Sequence, residues 1–202
     1  MNMPTTRRWT FRLAVVVVAL AVVGAAALAW WHIEGTGRQA ERQAAANAAG
    51  YLASCGSDAQ GDAVGVLTLP GGNGWIVRPG ADASLDGAIG WYQQTAGPGQ
   101  VGNMAVVGQR LTAGGPFDSI LTIEAGDTVT LETCADIFTY TVRVAPRDLT
   151  VQAADVWVLD AVPGQPGTVP TSAWLTLIAN HDIKPSSSRA VGFAELTATV
   201  PR

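Results

Sequence analysis

From Ala63 onward the chain consists of short β-branched runs separated by Gly, Pro, Asn and Asp, and a new run begins roughly every eight to twelve residues. Such spacing is typical of strands in a sandwich or a closed barrel. In residues 138–144 apolar and polar side chains alternate, as in a strand with one buried face. The residues alone therefore predict an all-β barrel or sandwich. The predicted strands are 64–69, 75–78, 88–92, 103–107, 128–134, 138–144, 156–159, 173–179 and 190–200.

An uninterrupted apolar run, residues 13–31, precedes this region and is long enough to cross a bilayer as a helix. Three arginines and no acidic residue come before the run, so we expect residues 1–12 to stay in the cytoplasm as a short stub. The run would then anchor the chain in the lipid bilayer as a single-pass segment. A cleaved signal peptide is the alternative, because Ala-Leu-Ala at 27–29 resembles a cleavage site. Both hypotheses predict that the rest of the chain is extracytoplasmic.

Residues 32–62 connect the apolar run to the β-rich region. They contain an alanine-rich stretch without proline, 36–54, which predicts a juxtamembrane helix that continues the first one or restarts after Gly37. Because its apolar residues are mostly alanines, we expect a spacer with a light packing face, followed by a short linker. Residues 63–202 then form one extracytoplasmic domain of ordinary size.

The chain is mildly acidic, with 12 Lys and Arg against 16 Asp and Glu. Three of these arginines precede the apolar run, so the exported part is more acidic than the whole. An acidic balance disfavours nucleic acid and anionic lipid surfaces as partners. Two His and two Cys in the whole chain do not supply a zinc site. We therefore expect no metal, no cofactor and no nucleic acid.

The two cysteines, Cys55 and Cys134, both follow the apolar run. Export to an oxidising compartment favours a disulfide between them. The bridge would close a loop of about 80 residues, which the chain-entropy model equates with roughly 4 kcal/mol. It would also fix the segment after the anchor to a predicted strand. Two unpaired buried thiols are the alternative.

Two segments carry a recognisable pattern. The first is Val-Val-Gly-Gln-Arg at 106–110, and the second is Leu-Thr-Leu-Ile-Ala-Asn-His at 175–181, with Arg189 nine residues after Asn180. Turn-and-strand fragments with a matching order lie at 87–92, 98–103, 111–117, 124–133 and 161–167. Together they resemble the sortases, which are extracytoplasmic cysteine transpeptidases, and among them the class E form common in high-GC Gram-positive bacteria. The resemblance covers about residues 64–200.

The resemblance implies a closed sortase-like β-barrel with one short helix near residues 117–121. It also implies roles for three positions. In the family a catalytic His stands where this chain has Gln109, the nucleophilic Cys stands where it has Asn180, and an Arg matches Arg189. The Cys attacks a Thr-Gly bond of a sorting signal, the His protonates the leaving amine, and the Arg stabilises the oxyanion or orients the peptide. Only the Arg is kept here.

The two substitutions predict loss of this chemistry. The carboxamide of Asn180 is not a usable nucleophile near neutral pH, and the amide of Gln109 has no pKa in the range of a general acid. His181 adjoins Asn180, but adjacent side chains on a strand point to opposite faces. The serines at 186–188 are interpreted as a solvated turn. We therefore expect the barrel without transpeptidation and assign no catalytic residue.

The polar residues at these positions remain candidates for binding a peptide or a partner. Gln109 and Asn180 can each donate and accept hydrogen bonds, and Arg189 can bind a carbonyl or a carboxylate. An exposed arginine with a local structural role is the alternative. Trp91 stands where the family usually has a His. It is either an interface anchor or part of the packing at the barrel end.

The sequence thus predicts a membrane-anchored pseudo-sortase of an actinobacterial-type cell envelope. We favour a non-catalytic subunit, scaffold or assembly factor of a membrane complex, which would contact its envelope partner through the helix and the barrel. A binder of sorting-signal-type peptides is the second hypothesis. A divergent class E sortase or a cysteine-independent hydrolase is the third.

Overall fold

A computed structural model describes the backbone of residues 5–57, 61–80, 87–110, 115–182 and 186–202. It does not describe the side chains of 5–17, 27–29 and 31–36. Several predicted features therefore lie outside the described residues: the start of the cytoplasmic stub (1–4), part of the side chains of the anchor with the cleavage-site sequence (27–29) among them, and most of the family-like loop at 111–117.

Nine strands lie in the described ranges: β1 (Gly65–Thr68), β2 (Gly74–Pro79), β3 (Ile89–Trp91), β4 (Gly102–Gly108), β5 (Thr128–Glu132), β6 (Asp136–Val144), β7 (Thr150–Gln152), β8 (Ala173–Asn180) and β9 (Ser188–Pro201). Eight of them follow one another in the order β6-β5-β1-β2-β3-β4-β8-β9, and β9 pairs back with β6. The ring is therefore a closed barrel. β7 pairs with β9 at the edge of this ring. The predicted closed all-β barrel is confirmed.

One predicted strand was wrong. Residues 156–159 form a 3₁₀ helix, Val156–Leu159, and not a strand. A four-residue apolar run is too short for its period to distinguish a helix from a strand. Here the side chain of Asn103, on β4, donates hydrogen bonds to the carbonyl groups of this segment. The short strand β7 was not predicted at all. A second 3₁₀ helix, Ile120–Thr122, lies at the end of the segment where the resemblance implied a short helix.

The two faces of the barrel strands have different partners. On β4, Met104 and Val106 belong to the cluster that fills the barrel, together with Leu175 and Leu177 of β8. The alternate residues of the same strands, with Val107 and Ile178 among them, pack in a second cluster outside the barrel. In β6 the buried residues are likewise every second one, Phe138, Tyr140 and Val142. This period of two decides which side chains can face an external site.

A buried polar network fixes the 3₁₀ helix Val156–Leu159 to the outer face of the barrel. The Asn103 amide donates to the carbonyl oxygens of Val158 at 2.9 Å and Asp160 at 3.0 Å. Its own oxygen accepts the hydroxyl hydrogen of Thr176 at 2.7 Å. Asn103 and Thr176 are at most 1% exposed, so losing any one partner would leave a buried polar group unsatisfied. The network therefore holds the segment after β7 in one position.

The N-terminal helix α1 (Thr5–Ala53) is continuous, so residues 36–53 extend the first helix without a restart. Its C-terminal part rests on the barrel exterior through Ala48 and Tyr51, which pack against Val66 and Ile76. Within the described residues no helix contains a stretch long and apolar enough to cross a membrane. The large apolar side chains described in its N-terminal half are 62–70% exposed: Val18, Leu20, Val22, Val23 and Trp30.

A disulfide joins the end of α1 to the barrel. Cys55 is bonded to Cys134, which follows β5, with a Cα–Cα distance of 5.3 Å and a sequence separation of 79. The predicted bridge is thus confirmed. Beside it, Arg202 donates to the carboxylate of Glu132 at 2.7 Å and to the carbonyl of Leu52 at 3.2 Å, which satisfies an acceptor in the last helical turn.

One glycine on the barrel is required by close packing as well as by backbone conformation. Gly99 has φ +67°, and a Cβ atom there would lie 2.1 Å from the ring of Phe138. Gly71 has the same φ of +67° but open space around its Cβ position. We predict that Gly71→Ala lowers the free energy of unfolding by about 1 kcal/mol, and that Gly99→Ala costs about 1–3 kcal/mol more because of the clash. Guanidinium unfolding of both variants tests this; equal losses would show that Phe138 simply moves away.

Candidate functional site

The carboxyl ends of β4 and β8 bring the predicted site positions together. The two strands are parallel neighbours, and their last registered pair is Gly108 with Ala179. Gln109 follows β4 directly, and Asn180 is the last residue of β8. In the antiparallel ladder between β8 and β9, Asn180 is paired with Arg189. Sequence reasoning grouped these three positions by resemblance, and the strand register places them at one end of the barrel.

Arg189 is partly buried and folds over the turn that precedes it. Its Nη1 atom donates to the carbonyl oxygens of Ser186 at 2.9 Å and Ser188 at 3.0 Å. Among the described residues, no carboxylate forms a salt bridge with this guanidinium. The arginine is therefore held in place by neutral acceptors.

A pocket of about 150 Å³ opens beside Arg189 on the outer face of the barrel. Its floor is formed by alternate residues of β4, β8 and β9, namely Val107, Ile178 and Val191. The surrounding wall is formed by β7, the 3₁₀ helix and the end of β3, with Val151, Gln152, Asp155, Val156, Val158, Leu159 and Tyr92. An apolar floor with a few polar groups at its edge is the usual composition of a small ligand site.

Tyr92 is an ionisable residue of the pocket lining that the sequence did not identify as a site residue. Burial raises the pKa of its hydroxyl, and the positive charge of Arg189 partly offsets this by lowering the pKa. The two polar groups therefore interact electrostatically at the pocket. Tyr92 lies in the family-like segment 87–92. Its outward direction follows from its place directly after β3, because the side chain before it, Trp91, packs against the barrel interior.

The family model for the Sortase domain matches residues 70–197. This chain belongs to the sortase family. Sortase E from Streptomyces avermitilis is 32% identical, with a TM-score of 0.60, and the match covers 70% of this chain and 91% of that one. Sortase E1 from Streptomyces coelicolor, solved with a tripeptide in its active site, is 29% identical (TM-score 0.62; 70% and 92%). The SrtA sortase from Actinomyces oris is 25% identical (TM-score 0.64; 70% and 83%). A comparison with curated proteins gives no match.

Trp91 of this sortase-family chain does not line the pocket. Its neighbour across the β3–β4 ladder is Val106, an interior residue. The indole packs against the same interior cluster and donates its N–H to the carbonyl of Ala96 at 3.1 Å. Of the two hypotheses for Trp91, the geometry therefore favours packing at the barrel end.

The described residues between β8 and β9 make local hydrogen bonds. The imidazole Nδ1 of His181 lies 3.0 Å from the Asp182 carboxylate. This contact, followed by a hydrogen bond from Ser186, lowers the pKa of the Asp182 carboxyl. The serines thus contribute to the turn, as Ser187 also does by donating to Gln152 at 2.6 Å. Within the described ranges, no group of three or more His, Cys, Asp and Glu is placed to hold a metal ion.

The interaction between Tyr92 and Arg189 can be tested by titration. Arg189 lowers the pKa of a hydroxyl that burial raises, so removing its charge should raise that pKa further. We predict that Arg189→Gln shifts the titration of Tyr92 to higher pH, as followed by NMR of ¹³C-labelled tyrosine. Arg143→Gln serves as the control, because Arg143 does not line the pocket and is paired with Glu195, and it should leave Tyr92 unchanged. A downward shift in Arg189→Gln would show that the two side chains do not interact as described.

Proposed function

We propose that this sortase-family chain is a non-catalytic, class E-like protein of the cell envelope. In this proposal it is a subunit, scaffold or assembly factor of a membrane complex. The observation that carries the proposal is the pair of amide side chains, Gln109 and Asn180, at the carboxyl ends of β4 and β8. These are the positions of the acid and the nucleophile in the family resemblance. Neither carboxamide can perform those steps near neutral pH.

The chain offers no thiol in place of Asn180. It contains two cysteines, and both are in the disulfide between Cys55 and Cys134. This bridge lies beside the C-terminal end of α1, whereas Asn180 lies at the end of β8 next to Arg189. A cysteine-dependent acyl-enzyme therefore has no nucleophile at the site.

The proposed location is the extracytoplasmic side of a membrane, with residues 13–31 as a single-pass anchor. The uninterrupted apolar run and the arginines before it support this placement. The exposed apolar side chains of α1, such as Leu20 and Trp30, support it further because water is a poor solvent for them. The disulfide is consistent with an oxidising compartment. The 32% identity with sortase E supports the class E-like assignment.

The decisive test of the non-catalytic proposal is turnover. We predict that the purified chain neither cleaves nor transfers fluorogenic Leu-Ala-x-Thr-Gly and Leu-Pro-x-Thr-Gly peptides above the no-enzyme rate. An active sortase E assayed in parallel shows that the substrates are competent. Turnover that disappears in Asn180→Ala would overturn the proposal and establish a cysteine-independent enzyme. Co-purification of a stoichiometric partner from detergent-solubilised native membranes would support the subunit role.

The pocket favours a second function, the binding of sorting-signal-type peptides without cleavage. Its volume of about 150 Å³ is enough for a branched aliphatic side chain, and its floor of Val107, Ile178 and Val191 is apolar. Arg189 stands beside it with its charge available for a peptide carbonyl or carboxylate. The related sortase E1 was solved with a tripeptide in its active site, which supports testing the same ligand class here.

Peptide binding is tested by isothermal titration with the same unlabelled peptides. If the pocket binds them, Arg189→Gln should weaken the affinity about tenfold, because a hydrogen bond to a charged group contributes about 1.5–3 kcal/mol. Arg143→Gln, which removes an exposed arginine paired with Glu195, should have no effect. Undetectable binding would exclude this second function and leave the subunit role standing, whereas binding of equal affinity in both variants would show that Arg189 does not contact the peptide.

A further inference from the structure

We propose that Arg110 is the positioning residue of this site and that it holds the end of β8, and with it Asn180, in place. The inference concerns the geometry of the site and goes beyond the proposed function, since it does not depend on which ligand or partner the site serves. Arg110 directly follows Gln109 and is partly buried. It lies outside the pocket lining, so its contribution acts through the residues that it contacts.

Arg110 contacts the backbone of β8 just beyond the last hydrogen-bonded pair of β4 and β8. The last registered pair of the two strands is Gly108 with Ala179. Beyond that pair, Nη1 of Arg110 donates a hydrogen bond to the carbonyl oxygen of His181 and lies 3.5 Å from that of Asn180. The side chain thus replaces the missing backbone pairing for the two residues that leave the strand.

A second arginine, Arg189, contacts the residues that lead into β9. Arg189 donates to the carbonyl oxygens of Ser186 and Ser188, and the amide of His181 donates to Ser188 at 3.1 Å. The described residues on the two sides of 183–185 are therefore each held by an arginine, His181 by Arg110 and the serines before Arg189 by Arg189 itself. Because Asn180 and Arg189 are cross-strand partners, a shift of one end displaces the other.

Both contacts come from a single nitrogen, Nη1, which the planar guanidinium holds in a fixed direction. A planar fork can present several N–H groups to neighbouring carbonyls, whereas an ammonium group is a single compact charge on a flexible stem. Nε of Arg110 is itself buried and has no hydrogen-bond partner in the part of the chain that the structure describes. Burial of an unsatisfied N–H is costly, and the contact of Nη1 with the end of β8 offsets part of this cost.

The experiment uses the full chain and two readouts that need no ligand. The first is amide hydrogen exchange at His181, whose N–H is bonded to Ser188, with the β1–β2 ladder as the internal reference. The second is the pKa of a reporter thiol introduced by Asn180→Cys, measured from the pH dependence of alkylation. It is the single free thiol, because both native cysteines are in the disulfide. Both are measured with Arg110, Arg110→Lys and Arg110→Gln, and with Arg143→Gln as the matched control.

We expect the His181 amide to exchange at least about tenfold faster in both Arg110→Lys and Arg110→Gln, while the β1–β2 amides keep their protection. In Arg110→Gln the reporter thiol should also lose about tenfold in thiolate fraction at neutral pH, a rise of about one pKa unit. Native exchange in Arg110→Lys would show that charge alone suffices and would overturn the positioning role. The positioning role would also be overturned if exchange became faster across the whole barrel, or if the exchange rate of the His181 amide were unchanged in both variants.

Discussion

The parallel ladder between β4 and β8 is the interaction on which the rest of the molecule depends. Seven registered pairs, from Gly102 with Ala173 to Gly108 with Ala179, run along the two strands. Parallel strands of this kind are buried on both faces. Here the inner face fills the barrel and the outer face is covered by the 3₁₀ helix that Asn103 holds. Since both strands end together, the residues that follow them must meet at one place.

This arrangement separates the fold from the chemistry of the family. The barrel interior, the ladder and the pocket depend on apolar packing and on register, and none of these requires a nucleophile or an acid. Gln109 and Asn180 lie at strand ends and are only partly buried, so the barrel does not depend on the identity of these side chains. Under the proposed loss of the covalent chemistry, the fold would therefore persist. A pocket with a charged group at its edge would remain.

The N-terminal helix and the barrel form one connected unit through a small set of contacts. The apolar contact of α1 with the barrel exterior is narrow, because alanines contribute little buried area. The disulfide after its last turn and the bonds of Arg202 to Glu132 and to Leu52 compensate for this. Under the proposed membrane location, these contacts fix the direction in which the barrel leaves the anchor.

By itself the sequence determined the features that depend on local pattern. Period-two alternation and regularly spaced turns predicted eight of the described strands, and two lone cysteines in a region expected to be exported predicted the bridge. Motif resemblance identified Gln109, Asn180 and Arg189. The tertiary structure decided the features that depend on which face a residue occupies. Trp91 and Tyr92 are neighbours in sequence, yet only Tyr92 lines the pocket, because one step along a strand reverses the side chain.

The same limit applies to the 3₁₀ helix at Val156–Leu159 and to Arg110. A short apolar run has no period of its own, so its conformation was decided by the amide of Asn103, more than fifty positions earlier in the chain. Arg110 was visible in the motif, but its contact with the carbonyl of His181 exists only when β4 and β8 are adjacent. Contacts between distant segments are set by the closure of the barrel, and no local pattern encodes them.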